Sequence, residues 1–138
     1  MTEVKICSVQ LVDHVLAAAE GGADYVGINF VPGVRRQIVQ SEAKRIIQEF
    51  RHEYGYSGPK LVGIFADQVI DEVNQILDDC DLDIAQLSGH ESIEYAGLVS
   101  KPVIKAIHVS INKAAEESVQ CIAPLISQFH HSQIYVNH

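Results

Sequence analysis

The sequence has few of the features that point to a metal, a membrane or a nucleic acid. Its three cysteines, Cys7, Cys80 and Cys121, are far apart and form no CxxC pair, which argues against a zinc site or a disulfide framework. No apolar run approaches the ~18 residues of a membrane span. Basic residues are scarce, and the formal net charge of −8 argues against a nucleic-acid partner. An anionic substrate would need a local cluster of positive groups.

The first residues also lack the long apolar stretch expected of a signal peptide, since Val4 already opens a strand-like segment. Together with the unpaired cysteines, which suit a reduced compartment, this predicts a cytoplasmic protein. What is present is the balance of a globular protein, 47% hydrophobic and 20% charged residues over 138 positions. No linker or low-complexity segment interrupts the chain, so we predict a single domain over residues 1–138.

Short β-rich runs alternate along the chain with longer segments of helical periodicity. This alternation predicts parallel strands joined by right-handed helical crossovers, about five βα units and then a sixth strand. In the helix over 69–80, Cys80 completes an apolar stripe and is expected in the core. The predicted strands cover 4–7, 25–30, 60–65, 84–87, 103–106 and 133–136. The predicted helices cover 11–20, 69–80, 92–99 and 113–129, the last of which Pro124 is expected to kink or split. A further helix, capped by Ser41, is predicted between the second and third strands.

Two α/β architectures fit this order of elements. A doubly wound, flavodoxin-like sheet uses five βα units and would be complete at this length. A (βα)₈ barrel typically needs ~250 residues. Length alone favours the doubly wound sheet.

Polar side chains end three of the predicted strands, at the edge where parallel α/β folds place their active sites. Strand alternation puts Lys5 and Cys7 on one face of the first strand. Gln86 and Ser88 share a face at the end of the fourth strand, and Lys105 lies near the end of the fifth. Three strands that carry polar groups where apolar ones would pack better indicate a site.

Six motifs in these segments resemble those of the phosphoribosylanthranilate isomerase family, in family order and at family spacing. Together they extend over essentially the whole chain. They are Val4–Cys7 for the strand with KICG, Gly22–Gly27 for GAD-x-x-G, Phe30–Arg36 for F-x-P-x-S-x-R, Val62–Phe65 for VGVF, Gln86–Glu91 for QLHG-x-E and Pro102–Ala106 for PVIKA.

The resemblance implies a partial (βα)₈ TIM barrel and an Amadori rearrangement in tryptophan biosynthesis. The family converts N-(5′-phosphoribosyl)anthranilate, an aminoaldose, into the aminoketose CdRP, with neither a metal nor an organic cofactor. The expected partner is therefore a small phosphorylated substrate. This chemistry needs an acid for the ribose ring oxygen and a base for the proton at C2′.

By resemblance Cys7 is the base, and Lys5 on the same face is the cation expected to favour its thiolate. The alternative for Cys7 is a small buried core residue. Arg36 matches the family's substrate-facing arginine, and its guanidinium suits a carboxylate or phosphate; the alternative is a solvated loop arginine like Arg35. Lys105 is either a site residue or the buried foot of a structural ion pair.

Four departures from the family bear on activity. Ser8 stands where the family has glycine, and Ser88 replaces the histidine of QLHG. The family's general acid, an aspartate that ends strand six, corresponds here to Asn137 or His138, depending on register. An amide cannot act as that acid, whereas an imidazolium can.

The fourth departure is that strands seven and eight have no counterpart, and in such barrels their loops commonly hold the phosphate. We therefore expect a truncated member with weak or no activity as this chain alone. An open six-stranded piece would also expose two sheet edges, which predicts self-association or pairing with another chain.

The alternative function is a flavodoxin-like signalling or interaction module without catalysis. A phosphoacceptor module would need clustered acids after the first strand, where the chain has Ser8–Gln10, and an aspartate ending the third. Asp67 lies two residues past that strand, so only Lys105 agrees. The pair His130–His131 is expected to be a polar connection rather than a metal site.

Overall fold

The computed structural model describes residues 2–108 and 133–137, in which strands and helices alternate. The predicted helix over 113–129, with Pro124 and Cys121, lies outside these residues. The strands are β1 (Lys5–Ile6), β2 (Tyr25–Asn29), β3 (Lys60–Phe65), β4 (Ile84–Leu87), β5 (Val103–His108) and β6 (Gln133–Asn137), and the helices are α1 (Val12–Glu20), α2 (Gln40–Tyr54), α3 (Ile70–Asp79) and α4 (Ile93–Gly97).

The order of the strands in the sheet decides between the two architectures. All six strands pair in parallel, and each lies beside the next one along the chain, in the order β1-β2-β3-β4-β5-β6. A flavodoxin-like sheet would reverse direction at a switch point, in the order 2-1-3-4-5. The sequential order is that of a (βα)₈ barrel wall, so the fold class predicted through the resemblance is confirmed. The doubly wound sheet that length alone favoured is wrong.

The start of α2 differs from the sequence prediction. Val39, in an extended conformation with φ −77° and ψ 150°, occupies the N-cap position and provides no side-chain cap, while Ser41 lies inside the helix. The prediction of Ser41 as the cap is therefore wrong. The reason is a tertiary contact, because the Ile38 N–H donates to the Asn29 carbonyl at 2.9 Å and holds the chain extended along β2 up to Val39.

The hydrophobic core lies between the sheet and its helices. α2 buries one apolar stripe, and α3 buries another that Cys80 continues as predicted, with 2% of the cysteine exposed. Val69 is the exception in this stripe, since it precedes α3 as its N-cap and is 67% exposed. Among the described residues, the largest fully buried side chains are Phe50, Phe65, Ile28, Ile46, Ile47, Leu61, Leu77, Leu82 and Leu87.

Strand register assigns Gln86 and Lys105 to opposite faces of the sheet. In β4 and β5, Gln86 pairs with Ile104 and Leu87 pairs with Lys105. Because in-register neighbours of parallel strands share a face, Lys105 lies on the helix side with the fully buried Leu87. Gln86 lies on the opposite, inner face.

Lys105 is held on the helix side by a buried ion pair. Its Nζ donates to Glu91 Oε2 at 2.8 Å and to the Gly89 carbonyl at 2.6 Å. The Glu91 side chain is 1% exposed and that of Lys105 is 13% exposed. The ion pair that the sequence left open as the alternative for Lys105 is therefore present, and it fastens the segment after β4 to β5.

The turn after β1 contains a residue in an unusual conformation. Ser8 has φ 59°, in the left-handed region. A side chain with a Cβ pays about 1–2 kcal/mol there, and glycine does not. This accounts for the glycine that the resembling family carries at the position, since the turn must redirect the chain directly after Cys7.

Replacing Ser8 with glycine should stabilise the protein. We expect Ser8→Gly to raise the free energy of unfolding by about 0.5–1 kcal/mol, because the relieved strain exceeds the added entropy of the unfolded chain. Urea titration followed by circular dichroism would measure the change. Ser92→Gly is the matched control, since Ser92 has φ −74° and caps α4; this change should cost a few tenths of a kcal/mol. A loss of stability in Ser8→Gly would contradict the interpretation.

Breaking the buried ion pair should be costly. Glu91→Gln leaves the Lys105 ammonium with its carbonyl partners but without a counter-charge, and we expect a loss of about 3 kcal/mol in the free energy of unfolding. Glu42→Gln is the control, because Glu42 pairs with Arg45 at 2.6 Å where both side chains are about half exposed. Such a pair contributes at most about 1 kcal/mol. Equal losses in the same urea titrations would show that the Glu91–Lys105 pair is not effectively buried.

Candidate functional site

Cys7 lies at the carboxyl end of β1 and is exposed, so its interpretation as a buried core residue is wrong. Gly27 of β2 provides the room beside it. A Cβ added at Gly27 would lie 3.6 Å from the Cys7 Sγ and 3.0 Å from the Ile64 Cδ1. The motif GAD-x-x-G included Gly27, but the sequence did not indicate that this glycine accommodates the cysteine.

Cys7 and Arg36 line one pocket of about 470 Å³. Arg36 comes from the loop between β2 and α2, is exposed, and has no hydrogen-bond or ion-pair partner within residues 2–108 and 133–137. His14 and Gln10 add further polar groups to the wall. The remaining lining residues are Ile6, Ser8, Val9, Ala17 and Ala18. Within the described residues, the pocket therefore brings a thiol and an unpaired guanidinium together, while their roles as base and anion-binding group stay predictions.

A line of polar contacts crosses the inner face of the sheet. Lys5 Nζ donates to Gln86 Oε1, and Gln86 Nε2 donates to Ser88 Oγ at 3.0 Å. β1 and β4 are not neighbours in the sheet, so this contact shows that the sheet curves until their inner faces meet. The structure thus brings Lys5, Gln86 and Ser88 together. The electrostatic role of Lys5 toward Cys7 stays a prediction.

The sequence analysis missed His108. The predicted fifth strand ended at residue 106, whereas β5 continues to His108, whose Nε2 lies 2.6 Å from the Ser88 carbonyl oxygen. The strand alternation of Ile104, Ala106 and His108 could have indicated a third inner-face position. An imidazole thus stands next to Ser88, the position at which the resembling family has its own histidine.

The last residue of β6, Asn137, pairs in register with His108. Asn137 is therefore beside His108 at the carboxyl edge of the sheet. His138, the other candidate for the general-acid position, lies outside the described residues, as does the pair His130–His131.

Asp67 is engaged in a loop contact with the segment after β4. Its backbone N–H donates to Glu91 Oε1 at 2.8 Å, and its Oδ1 accepts the His90 N–H at 2.7 Å. A Cβ on Gly89 would come within 2.5 Å of the Asp67 carboxylate, so the two loops are closely packed here. This geometry gives Asp67 a structural contact in place of the phosphoacceptor role considered above.

Within the described residues, no three histidine, cysteine or acidic side chains are grouped so as to hold a metal ion. Of the helices in the same part of the chain, none has the length and apolar character needed to cross a membrane.

Comparison with protein families gives a match over most of the chain. The family model for N-(5′-phosphoribosyl)anthranilate (PRA) isomerase matches residues 4–133. The curated N-(5′-phosphoribosyl)anthranilate isomerase of Dehalococcoides mccartyi is 42% identical over 120 residues, which are 87% of this chain and 53% of the relative. That of Roseiflexus castenholzii is 36% identical over 137 residues, 97% of this chain and 61% of the relative.

Solved structures agree with this match. The phosphoribosyl anthranilate isomerase of Thermotoga maritima superposes with a TM-score of 0.81 at 28% identity, over 99% of this chain and 61% of that protein. A second structure, of a phosphoribosyl anthranilate isomerase in complex with reduced 1-(o-carboxyphenylamino)-1-deoxyribulose 5-phosphate, has a TM-score of 0.81 at 27% identity, over 99% of this chain and 65% of that one. The chain spans about half the length of the first curated relatives it matches. Sequence motifs, strand order and these matches together show that the chain belongs to the N-(5′-phosphoribosyl)anthranilate isomerase family.

Proposed function

We propose that this chain carries the acid–base part of an N-(5′-phosphoribosyl)anthranilate isomerase site. The observation that supports it most directly is the shared pocket of Cys7 and Arg36. Isomerising an aminoaldose to an aminoketose requires removal of the C2′ proton, for which a thiolate at the carboxyl end of β1 is suitable. A guanidinium in the same wall can hold the carboxylate of the anthranilate group in two parallel hydrogen bonds.

The inner-face residues have a secondary part in this proposal. Lys5, Gln86 and Ser88 present an ammonium, a carboxamide and a hydroxyl toward the barrel interior. Groups of this kind can bind the ribose hydroxyls and fix the sugar over Cys7. Lys105 has no such part, because its ammonium is committed to Glu91 on the helix side.

The phosphate of the substrate is expected to bind outside these residues. Barrels of this type commonly hold a phosphate in the loops after strands seven and eight. The relatives that match this chain are longer, since it spans 53% of the Dehalococcoides mccartyi protein. We therefore expect turnover to depend on residues that follow strand six in the relatives.

We also propose a cellular compartment and an association surface for this chain. We place it in the cytoplasm, because Cys7 and Cys80 are free thiols. We also propose association through the β1 side of the sheet, where Val4, Ile6 and Leu11 are each between 42% and 52% exposed.

The proposed function predicts turnover by an extended chain, made by joining residues 1–138 to the segment that follows strand six in the Dehalococcoides mccartyi relative. We expect conversion of N-(5′-phosphoribosyl)anthranilate, followed by its loss of fluorescence, and little or none from the 138-residue chain alone. In the extended chain Cys7→Ser should lower kcat by about 10²-fold or more. Arg36→Met should mainly raise KM.

Two control variants belong to this assay. Cys80→Ala removes a buried thiol and should lower stability but not kcat, and Arg35→Met removes the neighbouring exposed arginine and should leave KM unchanged. An extended chain that is inactive both as it stands and with aspartate at the predicted acid position (Asn137→Asp), or full activity in Cys7→Ser, would contradict the proposed function. Robust turnover by the 138-residue chain would refute the dependence on the added segment.

A further inference from the structure

The hydrogen bond of the His108 imidazole indicates which of its two ring nitrogens carries the hydrogen. Its Nε2 lies 2.6 Å from the Ser88 carbonyl oxygen. A carbonyl oxygen can only accept a hydrogen bond, so Nε2 carries the hydrogen. This leaves Nδ1 as the nitrogen that can gain and release a proton, and no partner engages it within the part of the chain that the structure describes.

The acceptor that orients this ring is itself fixed. The Ser88 N–H donates to the Phe65 carbonyl at 2.8 Å, and the Ser88 Oγ accepts from Gln86 Nε2 at 3.0 Å. The backbone and the side chain of Ser88 are therefore each held by a hydrogen bond, which fixes the position of its carbonyl group. A histidine bonded to such an acceptor has its ring plane and tautomer set by the scaffold, as general acid–base histidines require.

The position of His108 complements that of Cys7. The contacts from Lys5 to Gln86, from Gln86 to Ser88 and from Ser88 to His108 run from the strand that carries Cys7 to the end of β5. His108 and Cys7 thus both lie at the carboxyl edge of the sheet and are connected across its inner face. A base on one side and an imidazole on the other is the arrangement that an aldose–ketose isomerisation needs.

Strand six does not supply an acid at the neighbouring described position. Asn137, the register partner of His108, has a carboxamide that does not titrate. Of the titratable groups that the structure describes near the ring, His90 lies beside Asp67 with an Nδ1–Oδ2 distance of 3.5 Å, and Glu91 is paired with Lys105.

From these contacts we propose that His108 is the general acid of this chain's reaction, in place of a group on β6. The inference rests on the proposed isomerase function. The Nδ1–H of the imidazolium gives its proton to the ribose ring oxygen as the C1′–O bond breaks and its electron pair moves to oxygen. The anthranilate nitrogen lone pair forms the C1′=N bond at the same time.

The remaining steps return each group to its starting state. The Cys7 thiolate removes the C2′ proton, the C2′–H pair forms C1′=C2′, and the C=N pair returns to nitrogen, which gives an enolamine. The enol hydroxyl then releases its proton to His108 as C1′ takes one from the Cys7 thiol. The product is the aminoketose, with no net gain or loss of protons or electrons.

The experiment uses the extended chain of the preceding section and three variants. His108→Gln should lower kcat by about 10²-fold with a much smaller change in KM, because glutamine keeps a hydrogen-bond donor but cannot release a proton. His90→Gln, at a ring distance of 6.4 Å from His108, is the matched control and should not change kcat. Asn137→Asp added to His108→Gln should restore turnover by supplying a carboxylic acid at the strand position that pairs in register with residue 108.

A spectroscopic readout tests the geometry on the 138-residue chain without any turnover. Long-range ¹H–¹⁵N correlation at alkaline pH, where the imidazole is neutral, should show the Nε2–H tautomer for the resonance that disappears in His108→Gln. The Nδ1–H tautomer would overturn the assignment of Nδ1 as the proton carrier.

The kinetic outcomes separate this inference from the proposed function. If the extended chain turns over and His108→Gln does so equally well, the inference is wrong and the function stands. If the extended chain is inactive but becomes active with Asn137→Asp, the function stands and His108 is not the acid. If neither turns over, the proposed function is wrong, and the inference is wrong with it.

Discussion

The in-register parallel pairing of consecutive strands is the constraint on which the site depends. Since every strand runs the same way and follows its predecessor in the sheet, all carboxyl ends meet at one edge. Cys7, Ser88 and His108 come from three strands far apart in sequence and reach this edge for that reason alone. The contact between Lys5 and Gln86 adds the curvature, because it brings together two strands that do not pair.

The same strand register places the polar side chains of the site and the side chains that stabilise the fold on opposite faces of the sheet. Inner-face positions such as Gln86 project polar groups toward the barrel interior, whereas the next residue, Leu87, packs under the helices. Lys105 shows the rule most clearly. It belongs to a family motif and lies in a strand next to the site, yet its ammonium pairs with Glu91 and helps to fix the segment after β4.

Much of the fold could be predicted from the sequence, because strand and helix periodicity are local signals. β3 and β4 have the predicted bounds, and Cys80 is buried at the end of the α3 stripe as expected. The errors come from contacts between distant residues. The Ile38–Asn29 hydrogen bond moved the start of α2, and the choice for Lys105 depended on its register with Leu87. His108 was missed because its partner, Ser88, is 20 residues away.

The central claim is that Cys7 and Arg36 face one ligand, and thiol alkylation in the extended chain tests it most directly. Burial raises the pKa of the Cys80 thiol to about 11, so at neutral pH iodoacetamide should modify Cys7 and spare Cys80, as peptide mapping by mass spectrometry would show. Saturation with reduced 1-(o-carboxyphenylamino)-1-deoxyribulose 5-phosphate should protect Cys7 from alkylation. Arg36→Met should weaken that protection. Alkylation of Cys7 at an unchanged rate in the presence of the analogue would contradict the account.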